Sequence, residues 1–329
     1  MDYGIKSTHS ALKNKLISYI SAQYLGENRM LLEASKGKID EIGTLYQEPF
    51  IEANPAYEVK ENGIENSKLI PEDIKKILND MIESKLGVFP NPFSHQIAAL
   101  EKFYENKDLL VTTGTGSGKT ECFMLPVLHD LYENCNNQEG INAIFLYPLN
   151  ALIASQQKRM DAWCKALGGI NYALLTGSTD NSAKNAEKIK AKPQLISREQ
   201  IRETPPQILF TNPTMLEYML VRNANVPIIQ KSQGKLRWIL LDEAHTLTGS
   251  KAAEMALLIR RVISAFGVEI KNVRFAITSA TVGNGNTDVL KKFMSNLCGI
   301  STDQIEVIQG KRVNNAIDNK DIPDFSTTL

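Results

Sequence analysis

The residues of this 329-residue chain that could do chemistry begin with a glycine-rich segment, TGTGSGKT, at positions 113–120. Its three glycines carry no Cβ, so the backbone can turn tightly and direct N–H groups towards an anion. Lys119 adds a positive charge for the β- and γ-phosphates of a nucleotide, and Thr120 offers a hydroxyl to Mg²⁺. The stricter pattern has glycine in place of Thr113. The Gly-Lys-Thr ending still favours nucleotide binding over the alternative, a plain glycine-rich turn.

Two neighbouring carboxylates form a second candidate site. The apolar run WILL at 238–241 leads into Asp242 and Glu243, and His245 follows in the sequence DEAH. In phosphoryl transfer, one carboxylate can hold Mg²⁺ and another can polarise the attacking water. Taken alone, the pair could equally be solvated acids at a helix N-terminus. Together with the glycine loop, it favours the catalytic interpretation.

The elements that must position these groups start at about residue 107, where short apolar runs alternate with longer amphipathic stretches. The runs lie at 109–113, 143–148, 172–176, 207–211, 237–242, 274–280 and 305–308. This alternation predicts an α/β fold with a mainly parallel sheet flanked by helices on both faces. Ligands bind at the carboxyl ends of parallel strands, so we expect the glycine loop and the acid pair at one edge of the sheet.

The N-terminal part of the chain has a different pattern. Helical spacing predicts a helix over 10–25, and a proline with two acids predicts a second helix over 71–86. Prolines and glycines over 40–65 predict an extended connector. Three segments are therefore expected: an N-terminal helical arm and connector over 1–85, a nucleotide-binding domain over 86–310, and a polar tail or linker over 311–329.

Composition excludes several classes of protein. Lys and Arg total 37, as do Asp and Glu, which excludes a strongly basic coat for nucleic acid. The four cysteines contain no Cys-x-x-Cys pair, so neither a zinc site nor a redox motif is indicated, and a disulfide framework is not expected in a chain of this length. No apolar run approaches the ~20 residues of a membrane span, and the N-terminus lacks the apolar core of a signal peptide. We therefore expect a cytoplasmic protein without a membrane partner.

The motifs together resemble those of a known family. TGTGSGKT, DEAH and SAT (279–281) have the order and approximate spacing of the first RecA-like domain of superfamily 2 DEAD/DEAH-box helicases, a P-loop NTPase domain. Further segments also match: FSHQ (93–96) resembles the adenine-reading Q motif, YPLNALIASQ (147–156) motif Ia and TNPTML (211–216) motif Ib. Within the superfamily, LDEAHTLTGSKAAEMALLIRRV and EPFIEANPAYE most resemble the large helicases of the MrfA and Druantia-defence type.

The resemblance implies a role for each matching residue. Lys119, Asp242 and Glu243 would be catalytic, with Glu243 as the base, and Thr120 and Asp242 would hold Mg²⁺. The residues that would bind ATP are Phe93, Gln96, Gly114, Thr115, Gly116, Ser117, Gly118, Lys119 and Thr120. Those that would couple nucleotide state to strand binding are His245, Ser279 and Thr281. Those that would lie along the nucleic-acid backbone are Pro148, Asn150, Thr176, Gly177, Thr211 and Asn212. Asn150 stands where Lys or Arg is frequent, so one phosphate contact is expected to be absent.

Structural alternatives remain open for some of these residues. Phe93 could be plain core, Ser279 and Thr281 could simply end a strand, and TNPTML could be a helix cap with proline in the first turn. A basic strip could bind phosphates or be a solvated loop; it comprises Lys184, Lys188, Lys190, Lys192, Arg198 and Arg202.

The implied function is the ATP-binding half of an ATP-dependent nucleic-acid helicase or translocase. Single-stranded nucleic acid, DNA rather than RNA, is the expected partner, and antiviral defence is the pathway suggested by analogy. No Q-x-x-R-x-G-R pattern follows Thr281, so turnover is expected to need a second RecA-like domain, in cis or in trans. An arginine finger contributes ~10³–10⁵ in turnover. The chain could be a fragment, a truncated product or a subunit.

A different class of function also fits the sequence. The chain could be a nucleotide-binding clamp or regulatory subunit without turnover, but such a clamp has no need of Glu243. A small-molecule kinase on the same glycine loop is disfavoured, because it would not account for FSHQ, TNPTML or SAT.

Overall fold

The computed structural model describes residues 4–26, 29–48, 55–114, 116–279 and 287–313. The described residues fall into two compact units, one before Tyr57 and one from Tyr57 to Val313.

The first unit is helical. Helix α1 spans Ile5–Ile20 and continues into a π-helical turn, Ser21–Leu25, while α2 spans Arg29–Ile39. The helix predicted over 10–25 is therefore confirmed, with an earlier start. The Lys13 ammonium lies 2.8 Å from Oδ1 of Asp40 and 4.3 Å from the ring centroid of Tyr46. No residue of α1 is buried.

The second unit is built on an eight-stranded sheet in which every pairing is parallel, with strand order β4-β3-β5-β2-β6-β7-β1-β8. The strands are β1 Asp108–Thr112, β2 Ala143–Leu146, β3 Tyr172–Leu175, β4 Gln194–Leu195, β5 Ile208–Thr211, β6 Trp238–Leu241, β7 Arg274–Ser279 and β8 Ile305–Gln309. All seven apolar runs form strands, and the predicted α/β fold is confirmed. The two-residue β4 was not predicted, because so short a strand has no periodic signal.

Helices connect the strands. They are α3 Gly63–Asn66, α4 Glu72–Glu83, α5 Ser94–Tyr104, α6 Lys119–Cys135, α7 Asn150–Ser155, α8 Gln157–Leu167, α9 Asn185–Ala191, α10 Arg198–Glu203, α11 Pro213–Val221, α12 Val226–Lys231, α13 Ser250–Ala265 and α14 Thr287–Cys298, with 3₁₀ turns at Asn223–Asn225, Ala244–Thr246, Ile270–Asn272 and Thr302–Gln304. Among the described residues, no helix combines the length and apolarity that crossing a membrane requires.

The sheet is covered on both faces, as its continuous apolar strands require. Successive residues of a strand point to opposite faces: Leu109 and Val111 belong to one core, and Leu110 to the other. Helices α4, α5, α6 and α8 contribute to the first core, and α10 to α14 contribute to the second.

The larger unit begins earlier in the chain than the boundary suggested near residue 85. Ile64, Ile74 and Leu78 are almost fully buried and belong to the same core as Val111. The predicted helix over 71–86 forms as α4, but its apolar face packs against this core. Amphipathic spacing indicates a helix without indicating what the helix packs against, which explains the difference.

Candidate nucleotide and nucleic-acid site

The glycine loop connects the end of β1 to the start of α6. Gly116 and Gly118 have φ of 73° and 71°, in the left-handed region that favours glycine. Ser117 fixes the loop from two sides: its hydroxyl lies 2.6 Å from that of Thr113, and its carbonyl oxygen lies 2.7 Å from Nε2 of His95. Thr113, the departure from the stricter pattern, thus stabilises the loop. The result is a cradle at the N-terminus of a 17-residue helix, which suits an anion.

Gln96 links this loop to the start of α5. Its Oε1 accepts a hydrogen bond from the Phe93 N–H at 2.9 Å, and its Nε2 donates one to the Gly118 carbonyl at 3.2 Å. The Phe93 ring stacks on His95, with centroids 5.4 Å apart, and meets the Tyr57 ring edge-on at 5.7 Å. Gln96 therefore supports the loop, and adenine reading by Gln96 and Phe93 stays a prediction.

Tyr57 is a component of the loop's surroundings that the sequence did not reveal. Its hydroxyl accepts hydrogen bonds from the Gly114 N–H at 2.8 Å and from Nη2 of Arg312 at 3.2 Å. The backbone around Tyr57 pairs with Arg312, and the neighbouring Val59 pairs with Phe93. No local pattern marks Tyr57, because its partners are distant along the chain. Thr115, also predicted to bind ATP, lies outside the described residues.

Lys119 and the acid pair meet at the carboxyl edge of the sheet, as predicted. Lys119 Nζ lies 3.5 Å from Oε1 of Glu243, and Nδ1 of His245 lies 3.2 Å from the other oxygen of that carboxylate. The Lys119 side chain is only 10% exposed. Its Nζ is buried and has no hydrogen-bond partner within the described part of the chain. A buried ammonium of this kind fits a phosphate ligand.

Asp242 follows β6 and is held by the next strand of the sheet. The Thr278 hydroxyl donates a hydrogen bond to Oδ1 of Asp242 and accepts one from the Glu243 N–H at 3.1 Å. Burial raises the pKa of Asp242, while the Thr278 hydroxyl opposes this effect. Glu243 has φ of 52°, a left-handed conformation that non-glycine residues seldom adopt outside special sites.

The Mg²⁺ ligands predicted from the sequence fit this edge. The Asp242 carboxylate is a hard oxygen donor of the kind that Mg²⁺ prefers, and the Thr120 hydroxyl lies in the first turn of α6. Thr278 itself was missed, although it directly precedes the SAT motif.

The SAT motif begins at this edge. Ser279 is the last residue of β7 and lies beside Thr112, the last residue of β1. Ser279 is 6% exposed, so a strand-ending role fits its burial. Thr281 lies outside the described residues, and its coupling role stays a prediction.

A groove of about 960 Å³ runs beside the acid pair, and motifs Ia and Ib line it. Pro148, Asn150 and Asn212 are in its wall, and Nδ2 of Asn212 donates a hydrogen bond to Oδ1 of Asn150 at 2.9 Å. Oδ1 of Asn212 also caps α11 by accepting the Met215 N–H at 2.8 Å. The helix-cap alternative for TNPTML is thus confirmed, and Asn212 still reaches the groove.

Thr211, which was predicted to lie along the backbone, is placed differently. It is fully buried, and its hydroxyl donates to the Leu175 carbonyl at 2.8 Å. The side chain is directed into the sheet because Thr211 is the last residue of β5, a strand whose four residues are all buried. It therefore does not reach the groove.

The turn at Thr176 and Gly177 is fixed by a residue of the basic strip. Nη2 of Arg198 donates to the Thr176 carbonyl at 2.7 Å, and its Nε donates to the Thr179 carbonyl at 2.9 Å. Thr176 is buried, whereas Gly177 is exposed. Arg198 thus stabilises this turn, a role that neither alternative for the basic strip had suggested.

Comparison with known proteins places this site in a family. The family model described as DEAD/DEAH box helicase matches residues 93–289, a range that holds the glycine loop, the acid pair and the groove. The chain belongs to the DEAD/DEAH box helicase family.

Relatives of this helicase-family chain include Druantia protein DruE of Escherichia coli (strain UMEA 4076-1), with 27% identity over 412 residues, 94% of this chain and 22% of DruE. The uncharacterized ATP-dependent helicase YprA of Bacillus subtilis (strain 168) is 26% identical over 217 residues, 65% of this chain and 26% of YprA. The chain thus spans about a quarter of the length of these relatives. The resemblance to helicases of the MrfA and Druantia type is confirmed.

The fold is similar to that of a solved helicase. The DUF1998 helicase MrfA, in a crystal structure with bound DNA, gives a TM-score of 0.54 at 23% identity, over 78% of this chain and 31% of MrfA. At this identity the likeness shows the RecA-like helicase fold, in agreement with the prediction.

Proposed function

We propose that this chain is the ATP-binding half of an ATP-dependent nucleic-acid helicase or translocase. The observation that supports this most directly is the buried ammonium of Lys119, which faces the Glu243 carboxylate at 3.5 Å and has no hydrogen-bond partner among the described residues. The domain arrangement inferred from the sequence, a helical arm, a RecA-like domain and a linker, belongs to this proposal.

Each residue at the edge of the sheet has a task in the proposed reaction. When bound, ATP supplies the γ-phosphoryl group that is transferred to water, and Mg²⁺ neutralises charge on the phosphate oxygens. Lys119 binds the phosphates, and Thr120 and Asp242 hold the metal. Glu243 orients the water and accepts its proton, and His245 keeps the Glu243 carboxylate in place. In this proposal a second RecA-like domain supplies an arginine finger, which stabilises charge on the transferred phosphoryl group, so turnover requires that domain.

The groove beside the acid pair is the proposed path of single-stranded nucleic acid. Asn150 and Asn212 present polar groups in this groove that suit the phosphodiester chain, which such proteins contact for position. A backbone contact at the exposed Gly177 stays a prediction. DNA is the preferred partner in this proposal, because MrfA is bound to DNA in its crystal structure. A cytoplasmic location stays a prediction from the composition, and a role in antiviral defence stays a prediction from the resemblance.

The test is steady-state ATP hydrolysis by the purified chain, with and without single-stranded DNA or RNA. Turnover that is stimulated by nucleic acid and lost in Glu243→Gln supports the enzyme. Nucleotide binding without turnover, abolished by Lys119→Ala, supports a half-motor or a clamp. Lys102→Ala, at a lysine of α5 that pairs with Glu105, is the matched control and should bind nucleotide normally. Strand separation by this chain alone would contradict the need for a second domain.

A further inference from the structure

A largely buried ion pair joins α6, the helix of the glycine loop, to α8, the helix that follows motif Ia. Nη2 of Arg159 lies 3.1 Å from Oε1 of Glu121, and the two side chains are 33% and 12% exposed. Glu121 is in the first turn of α6, two residues after Lys119. Arg159 is in the first turn of α8. Helix α8 directly follows α7, whose first residue is Asn150. The pair therefore connects α6, which begins at the phosphate cradle, to α8, which follows the helix that begins at Asn150 in the groove.

Glu121 depends on Arg159 for its charge balance. Oε2 of Glu121 is buried and has no hydrogen-bond partner among the residues that the structure describes. A buried carboxylate without a compensating cation is strongly unfavourable. The first turn of α6 and the first turn of α8 must therefore keep their relative positions or leave a buried charge unpaired.

Arg159 is itself held in a defined position by its own helix. Its Nη1 donates to Oε1 of Gln156 at 3.3 Å, and its guanidinium lies 5.7 Å from the ring centroid of Trp163. Trp163 is fully buried in the hydrophobic core. These contacts hold the Arg159 guanidinium against the start of α8.

A buried tyrosine, Tyr147, lines a small cavity together with Asp242, the proposed metal-binding carboxylate. The Tyr147 hydroxyl is buried and unpaired within the described structure. Burial raises the pKa of Tyr147 well above its usual range, the charge of Asp242 adds to this effect, and the charge of Arg159 opposes it. The phenol therefore experiences both charges. The backbone brings it close to Asp242, whose N–H donates to the Leu146 carbonyl at 2.9 Å.

We propose that Glu121 and Arg159 are positioning residues that couple nucleotide binding at the glycine loop to nucleic-acid binding in the groove. This inference rests on the proposed function and names how its two sites communicate. Phosphates at the N-terminus of α6 add negative charge beside Glu121, so the ion pair with Arg159 becomes more important for charge balance. Because the ion pair keeps the first turns of α6 and α8 together, a shift of α6 on phosphate binding carries α8 with it, and α7 with Asn150 follows. By linkage, nucleic acid in the groove must change the affinity for nucleotide by the same factor.

The test measures the affinity of the full chain for a fluorescent ATP analogue with Mg²⁺, with and without saturating oligo(dT). In the wild type we expect oligo(dT) to change this affinity by about fivefold or more. In Glu121→Gln and in Arg159→Gln the factor should fall to nearly one. The double variant should be no worse than either single variant, because one interaction is lost in all three. Arg159→Lys keeps the charge and should retain part of the coupling.

The matched control breaks another arginine–carboxylate pair, far from this path, in which the carboxylate is buried and the arginine is partly exposed. Arg237 lies just before β6, at the opposite edge of the sheet, and its Nη2 is 2.6 Å from Oδ1 of Asp130. Arg237→Gln should lower stability and leave the coupling factor at its wild-type value. A variant that fails to fold is recognised by its unfolding transition, and Arg159→Lys then carries the test.

The outcomes separate this inference from the proposed function. Wild-type coupling that persists in both Glu121→Gln and Arg159→Gln overturns the inference and leaves the proposed function intact. If the wild type binds both ligands without any coupling, the inference is likewise overturned and the proposed function is left intact. Nucleotide binding that is absent, or is insensitive to Lys119→Ala, overturns the proposed function itself, and the inference with it.

Discussion

Nζ of Lys119 lies 3.5 Å from Oε1 of Glu243, at the edge of the sheet where the glycine loop and the acid pair meet. The two side chains are 10% and 24% exposed, so water screens the pair only in part. Each charge compensates the other in the absence of a ligand. In the proposed function, nucleotide phosphates replace Glu243 as the counter-charge of Lys119, which releases the carboxylate to orient water.

Neutralising Glu243 should therefore affect nucleotide affinity and hydrolysis in different ways. Glu243→Gln removes the anion that competes with phosphate for Lys119, so we expect the affinity for ATP to be unchanged or to increase by a few-fold. Equilibrium titration with a fluorescent ATP analogue measures this. Glu269→Gln, at an exposed carboxylate paired with Lys271, is the control. A tenfold loss of affinity in Glu243→Gln would contradict the competition between carboxylate and phosphate.

Thr278 should determine how well Asp242 holds Mg²⁺. Thr278→Val keeps the side-chain shape but removes the hydrogen bonds to Asp242 and to the Glu243 N–H. A hydrogen bond to a charged group contributes about 1.5–3 kcal/mol, so we expect the Mg²⁺-dependent affinity for nucleotide to fall about tenfold or more. Titrations with Mg²⁺ at a fixed nucleotide concentration measure the change in this affinity. Thr278→Ser retains the hydroxyl and should behave as the wild type; equal losses in both variants would argue against this role.

Local sequence patterns predicted the strands and the site's principal residues, because each of these carries its own signal. The loop that ends in Lys119 and the carboxylate of Asp242 both follow apolar runs, and parallel strands bring such ends to one edge. Tyr57 and Arg198 were not predicted as supports, because their partners, Gly114 and Thr176, lie far along the chain. Contacts of that kind depend on how the elements pack, which spacing along the sequence does not encode.

Two glycines of the loop should differ in their tolerance of a methyl group. Both have positive φ, so alanine at either costs about 1–2 kcal/mol in backbone strain. Among the described residues, a Cβ at Gly116 would meet no atom within 4 Å, whereas a Cβ at Gly118 would collide with the Gln96 amide. We expect Gly116→Ala to lower the free energy of unfolding by the strain alone and Gly118→Ala to lower it further. Urea unfolding of both variants measures the difference, and equal losses would mean that Gln96 moves aside without cost.

Asp108 should make the stability of the fold depend on pH. It is the first residue of β1, is 7% exposed, and accepts the Phe275 N–H at 2.7 Å. Burial raises the pKa of Asp108 from 3.8 to about 6, against the opposing effects of the Phe275 N–H and the charge of Arg274. Between these two values the folded state binds more protons than the unfolded state. The contribution of Asp108 to stability is therefore lost as pH rises through this window.

Asp108→Asn isolates this effect, because an amide does not titrate and can still accept the Phe275 N–H. The free energy of unfolding of the variant relative to the wild type should rise by about 2 kcal/mol between about pH 4 and about pH 7. Urea titrations of both proteins across this range measure the difference. Asp180→Asn, at an exposed carboxylate, is the control for general effects of charge. A difference for Asp108→Asn that stays constant with pH would mean that this carboxylate is ionised in the folded protein throughout the range.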